Sequence, residues 1–340
     1  MKPQYTPSEL SVLANEHATQ LSETVKSSIV AAKPKVVCPA WTLLKKSLLQ
    51  SHEQILRGHI GVLEKLESDG NWSRLLEVCI RREYARHPLK KHRGRRPVPH
   101  CVAAIRSAFD YDKFCTAKEY SAHTLAAKVK HAVCPYCNIS LIPTIPKTDD
   151  AAGLRPAFDH WKPLSKHPWF SLSFYNLIPS CTTCNSGYKH EKEMKYTDHA
   201  HPYVDCLDDQ FQFTLSAPAA TYRGEVIVTP DTNIPVVVDI EPRAGILVTR
   251  YSQSHSLMEL MSVCKRYTYC KAEVEGFLTR RNAAVQSRMI LLKADLNIAD
   301  ASKLRECQEA LLGTNGMNTE VHKIVWGKFQ NDMIRQYPVW

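Results

Sequence analysis

The chain has 340 residues, 44% of them hydrophobic and 23% charged, a composition that suits a globular protein large enough for two domains and excludes a low-complexity or fibrous one. A formal net charge of +10 favours polyanionic partners. The first residues do not read as a secretory leader and no run approaches the ~18 apolar residues of a membrane span, so a cytoplasmic location without membrane association is expected.

Residues 5 to about 130 read as mostly helical. Leu10, Leu13, Ala14, Leu21 and Val25 recur at helical spacing, and apolar residues from Leu43 to Leu66 suit an amphipathic helix. The stretch ESDGNW interrupts the pattern, and a helix resumes with Ser73 placed to cap it. Pro88, Gly94, Pro97 and Pro99 then mark a loop. Around that loop Arg81, Arg82, Arg86, Lys90, Lys91, Arg93, Arg95 and Arg96 stand against one acid, Glu83. Such a surface suits contact with a phosphate backbone, with little base reading; a solvated face is the alternative. A further helical run, AKEYSAHTLAAKVKHA, leads into Cys134.

From 134 to about 195 the character changes. Short strands are expected at ISLIP and RPAFDHW, followed by a loop and a short helix from about Thr182. Strand signals return at FQFTLS, EVIVT, IPVVVDI and GILVT between residues 211 and 250, and the helical period resumes from Ser256. The expected class is α+β. A helical region with a basic loop (1–130) precedes a compact core (131–205) and a C-terminal region of strands then helices (206–340).

Two Cys-x-x-Cys pairs, Cys134/Cys137 and Cys181/Cys184, bracket the central segment. In a reducing compartment the twelve cysteines are not a disulfide framework. Two such pairs supply the four thiolates of a tetrahedral structural zinc, with no position left open for catalysis. A lone pair would have left a redox role open. Asp159 and His160 stand side by side at the end of the strand-like stretch, where adjacent side chains point to opposite faces. Asn176, Asn185 and Lys189 follow in that order. His167, His190, His199 and His201 lie nearby and read as structural or surface residues, with His190 or His201 able to line a site. The other eight cysteines are scattered; Cys79, Cys264 and Cys270 fall on apolar-periodic segments and suit packing.

The order DHWKP, NLIPSCTTCN, then Lys189 resembles the HNH endonucleases, whose core is a ββα-metal finger. A looser similarity through HAHPYVD and the later strands and helices looks like the HNH proteins of bacterial antiphage systems, among them the PtuB-like component of Septu. The resemblance implies an α+β protein with a zinc-stapled ββα-metal HNH core. It implies a metal-dependent endonuclease acting on DNA, with His160 as the general base and Asp159 and Asn185 as ligands of a catalytic divalent metal. Asn176 matches the loop asparagine that orients His160. In a PtuB-like setting it implies a regulatory ATPase partner (PtuA-like); the sequence shows no phosphate-binding glycine loop, so any ATP dependence must come from another chain. Oxygen ligands suit Mg²⁺ or Mn²⁺, an imidazole can take a proton from water near pH 7, and Lys189 could meet a phosphate as a point charge. One such site cuts one strand at a time, so double-strand cleavage needs a homo-oligomer or successive nicks. A non-catalytic zinc-stabilised module for nucleic acid or a docking partner, and an RNA-directed nuclease, are the alternatives.

Overall fold

Thr6 opens the first helix with a reciprocal cap: its side chain meets the Glu9 backbone and Glu9 returns a carboxylate to the Thr6 backbone, here at 2.7 Å. In this computed structural model the described residues are 5–87, 98–146, 148, 153–216, 220–222, 225–227, 237–270, 272–277 and 323–336. They fall into two units that cut across the boundaries expected at 130 and 205. One holds residues 4–131 and 142–196, the other residues 1–3, 132–141 and 197–340.

The first unit begins with α1 (Pro7–Ala31), which buries Leu10, Ala14, Leu21 and Val25 as its period requires, and His17 with them. The amphipathic run from Leu43 to Leu66 is two helices, not one: α2 (Pro39–Arg57) and α3 (Ile60–Asp69). Gly58 separates them with extended ψ of 137°, and a Cβ there would lie 2.4 Å from the Gln54 carbonyl oxygen. The His59 imidazole then caps α3 by accepting from the Gly61 N–H at 3.2 Å. The helix expected to start at Ser73 starts earlier, as α4 (Trp72–Arg86), with Asn71 in the left-handed region at φ 50°. Ser73 instead donates to Glu67 Oε1 at 2.5 Å. Next come α5 (His100–Ala108), α6 (Tyr111–Thr116) and α7 (Ala122–Val129).

Within the same unit the chain forms β1 (Ala157–His160) and β2 (Leu177–Ser180), paired antiparallel with Asp159 opposite Ile178 and His160 opposite Leu177. A short wide helix, Thr183–Lys189, follows, so the local order is ββα. Trp72, Trp169 and Phe170 pack ring against ring and bind this segment to α4.

The second unit pairs β3 (Phe211–Ser216) with β6 (Val237–Pro242), and β4 (Ala220–Tyr222) with β5 (Glu225–Ile227), both antiparallel. A short α8 (Leu207–Gln210) precedes β3, α9 (Val248–Leu260) and α10 (Val263–Tyr269) follow β6, residues 272–277 are helical, and α11 (Gly327–Gln336) lies near the end of the described residues. ISLIP supplies only a bridge between Val133 and Leu141, and GILVT is no strand. Gly245, at φ 79°, turns the chain, and α9 starts at Val248, earlier than the helical period from Ser256 suggests. Leu257 and Met258 give α9 a buried face that outweighs the strand preference of its first turn.

The polar anchor of this unit is Lys328 on α11, with no exposed surface. Its ammonium donates to Phe211 O at 2.7 Å, Asp332 Oδ2 at 2.9 Å and Asp208 Oδ1 at 3.2 Å. Asp332 in turn accepts from Phe213 N at 2.9 Å and from Arg243 at 2.5 Å, so every buried charge has partners. No described helix is long and apolar enough to cross a membrane.

Candidate active site and metal centre

The four cysteines expected to bind zinc are brought together. Cys134, Cys137, Cys181 and Cys184 are all buried, and their Sγ atoms lie within 4.8 Å of one another. A zinc tetrahedron with 2.3 Å bonds needs sulfurs about 3.8 Å apart, so a small inward movement closes it. Each pair is built as a knuckle. Cys134 N donates to Ser140 O at 2.9 Å, and Asn138 N returns to Cys134 O at 2.9 Å. Ile139 N then points at Cys137 Sγ at 3.5 Å, as Cys184 N does at Cys181 Sγ at 3.4 Å. Backbone N–H groups aimed at sulfur stabilise the thiolate form, so the donor set fits a structural zinc.

Asn138 makes the first knuckle a fixed point in its unit. It sits at φ 55°, a conformation asparagine tolerates. Its Nδ2 donates to Ile324 O at 3.1 Å, and its Oδ1 accepts from Lys328 N at 3.1 Å. Tyr267, fully buried, donates its hydroxyl to Cys137 O at 3.0 Å.

Asp159 and His160 point apart, as strand alternation requires. Asp159 is 1% exposed and pairs with Lys189, whose Nζ lies 3.0 Å from Asp159 Oδ1 and 2.5 Å from the His160 carbonyl oxygen. Lys189 is itself 1% exposed. The expected phosphate contact by Lys189 is therefore corrected: its ammonium faces inward, where a buried carboxylate demands a partner.

His160 turns its ring toward Ser171, whose carbonyl oxygen is 3.1 Å from Nε2. A carbonyl only accepts, so Nε2 carries the proton and Nδ1 keeps its lone pair. Burial pushes the imidazole pKa down to about 4, helped by the Lys189 charge and opposed by the Ser171 hydrogen bond, so the ring is neutral at pH 7. The Tyr111 ring meets it edge-on, centroids 4.6 Å apart.

Asn176 is fully buried and binds the loop between the strands at three points. Its Oδ1 accepts from Lys162 N at 2.6 Å, and its Nδ2 donates to Lys162 O at 3.2 Å and Phe170 O at 2.9 Å. Its backbone carbonyl also accepts from Trp161 N at 3.0 Å. Asn176 therefore ties the loop to the end of β1 next to His160. Asn185 is half-buried at the start of the helical segment, its N–H on Cys181 O at 3.0 Å and its carbonyl accepting from His190 N at 2.8 Å. A carboxylate and an amide oxygen have the chemistry for a hard divalent cation, but Asp159 already shares its charge with Lys189.

The α3 acids secure the same loop. Glu64 pairs with the buried Lys162 at 2.6 Å, and Glu67 and Glu193 flank His167 at 2.9 and 3.2 Å. His167 is structural, and so is His201, buried in the second unit with its N–H on Asp205 at 2.7 Å. His190 is exposed at φ 48°.

Of the basic surface, Arg81, Arg82 and Arg86 are exposed on α4, with Arg81 paired to Glu77 at 2.5 Å. Lys90, Lys91, Arg93, Arg95 and Arg96 lie outside the described residues. Glu83, the one acid of that stretch, does not face solvent with them. It is 1% exposed and accepts from His100 N at 2.6 Å and Cys101 N at 3.0 Å, which caps α5 and ties its first turn to α4. Burial raises the Glu83 pKa, but the hydrogen bonds from His100 and Cys101 win and hold it below the usual carboxylate range.

Sequence reasoning missed Tyr111 and Ser171, which belong to no spaced motif and meet His160 only through folding. Comparison of the chain with family models, with curated proteins and with solved structures found no match.

Proposed function

We propose that the protein is an HNH-type endonuclease that hydrolyses DNA phosphodiester bonds. The observation that carries this reading is His160: a neutral imidazole at the end of β1, its Nε2 engaged by Ser171 O and no described residue on its Nδ1. That free lone pair can take a proton from an attacking water. Asn176 holds the strand end that presents it, and the four thiolates would hold a structural zinc that fixes the segment. Asp159 and Asn185 are the oxygen donors assigned to Mg²⁺ or Mn²⁺, an ion that would supply positive charge to the phosphate and to the leaving oxygen. Arg81, Arg82 and Arg86 offer exposed charge for a nucleic-acid backbone. A role in antiphage defence with a regulatory ATPase partner extends the same reading and rests on the sequence resemblance alone.

The test is plasmid nicking by the full chain, wild type beside His160→Ala, in Mg²⁺ and in Mn²⁺. Nicking that the substitution abolishes at unchanged zinc content is the expected result. Cutting that survives it removes His160 as the base, and parallel digestion of RNA decides the substrate. One observation favours a second reading, a non-catalytic nucleic-acid-binding module: Asp159 is buried and already neutralised by Lys189. Salt-dependent DNA binding with no cutting, with or without the proteins encoded beside it, would establish that reading instead.

A further inference from the structure

The ββα segment supplies only part of what holds the His160 imidazole. One nitrogen is fixed by Ser171 O at 3.1 Å. The ring face is set by Tyr111, at the start of α6, whose ring stands at 78° to the imidazole with centroids 4.6 Å apart. The phenol end of Tyr111 is anchored in its turn. Its hydroxyl interacts with Cys115 on the same helix and with Arg155 at the foot of β1. Arg155 is held by donating to Pro156 O at 2.9 Å and to Cys115 Sγ at 3.3 Å. On the other side, the Ser171 hydroxyl donates to the carbonyl of Phe109, two residues before Tyr111. The connection from α5 to α6 therefore touches both the imidazole and the carbonyl that accepts its proton.

That arrangement has a chemical consequence. A half-turn of the imidazole about its bond to Cβ would move Nε2 away from Ser171 O and release the proton to either nitrogen. A base works only if its lone pair is held toward the proton it removes. The Tyr111 ring opposes that turn, and Phe109 keeps the Ser171 carbonyl in line.

We infer that Tyr111 is a positioning residue for His160: its ring, together with the Phe109–Ser171 bond, fixes the imidazole in the Nε2–H form and leaves Nδ1 as the free base. This role rests on the nuclease reading given above for its effect on rate, but its effect on the imidazole stands apart from catalysis. The contact with the imidazole is made by the Tyr111 ring, while the hydroxyl reaches only Cys115 and Arg155, so phenylalanine keeps the contact at the loss of one anchor and an aliphatic residue loses the contact itself.

The experiment compares full-length wild type, Tyr111→Phe and Tyr111→Leu by two readouts. In plasmid nicking, Tyr111→Leu lowers kcat by about 10- to 100-fold with KM for DNA within about twofold, as expected of a misoriented base. Tyr111→Phe stays within about threefold of wild type. In ¹⁵N-histidine NMR, with the His160 signal identified by its loss in His160→Gln, wild type and Tyr111→Phe show the Nε2–H tautomer and Tyr111→Leu shows a mixture. If wild type does not nick, alone or with the proteins encoded beside it, the nuclease reading fails and the tautomer alone decides the positioning role. An unchanged tautomer in Tyr111→Leu overturns it, as does a loss of rate carried by KM or shared by Tyr111→Phe. Should Tyr111→Leu lose its zinc, Tyr111→Met replaces it in both measurements.

Discussion

Replacing Lys189 by Met should destabilise the unit that carries β1 and β2 by about 3–5 kcal/mol. The two charges are 3.0 Å apart and each side chain is 1% exposed. At that distance an effective dielectric near 20 gives about 5 kcal/mol of attraction, which the substitution removes while leaving Asp159 buried and charged. Methionine keeps the apolar stem, so lost packing adds little. The loss also includes the 2.5 Å bond from Lys189 to the His160 carbonyl. Removing both charges, in Asp159→Asn with Lys189→Met, should recover most of the stability, because a neutral pair carries no buried uncompensated charge. The assay is urea unfolding followed by tryptophan fluorescence, since Trp72, Trp161 and Trp169 are all buried in this unit. A cost below about 1 kcal/mol for Lys189→Met, or a double variant no more stable than the single one, would refute the reasoning.

Four other outcomes follow from the same geometry. Cys184→Ser should abolish stoichiometric zinc binding and lower the melting temperature, read by metal analysis and calorimetry; a full complement of zinc in that variant would remove the four-thiolate assignment. Asn138→Gly keeps the left-handed backbone but loses the side-chain bonds to Ile324 O and Lys328 N, and should cost about 1–3 kcal/mol by chemical denaturation. Glu83→Gln should cost a similar amount by chemical denaturation, because the carboxylate caps the first turn of α5 and ties it to α4. His17 gives a pH dependence. Its ring is fully buried, bonded to Leu172 O at 2.7 Å, and burial lowers its pKa from 6.5 to about 4 although that bond raises it. The native state therefore binds fewer protons than the unfolded chain in this range. The resulting stability is complete above pH 6.5 and is lost as pH falls toward 4, about 3 kcal/mol in all. Denaturation midpoints should fall through this window in wild type and fall less in His17→Gln.

Much of the local structure was legible because it depends on nearest neighbours. The period of α1, the strand that ends in Asp159 and His160, and the paired spacing of Cys134/Cys137 and Cys181/Cys184 are each written within a few residues, whereas β2 (Leu177–Ser180) does not read as a strand. The chain also fixed which residue types could do chemistry: a histidine and an aspartate on alternate faces of one strand, and an asparagine able to brace the loop after it. Where local reading failed, a longer-range partner won. The run to Leu66 broke because Gly58 admits a bend that His59 then caps. GILVT left its strand preference because the face of α9 is buried.

Only the tertiary structure decided what the charged groups meet. Lys189 looks like a solvent-facing cation in the sequence, yet a buried carboxylate captures it, because an unpaired charge in a low-dielectric interior costs more than an ammonium gains from water. Glu83 turns inward for the same reason and caps a helix that begins 17 residues later. Tyr111 and Ser171, distant in the chain from His160, become its neighbours through packing, which carries no spacing for a sequence to display.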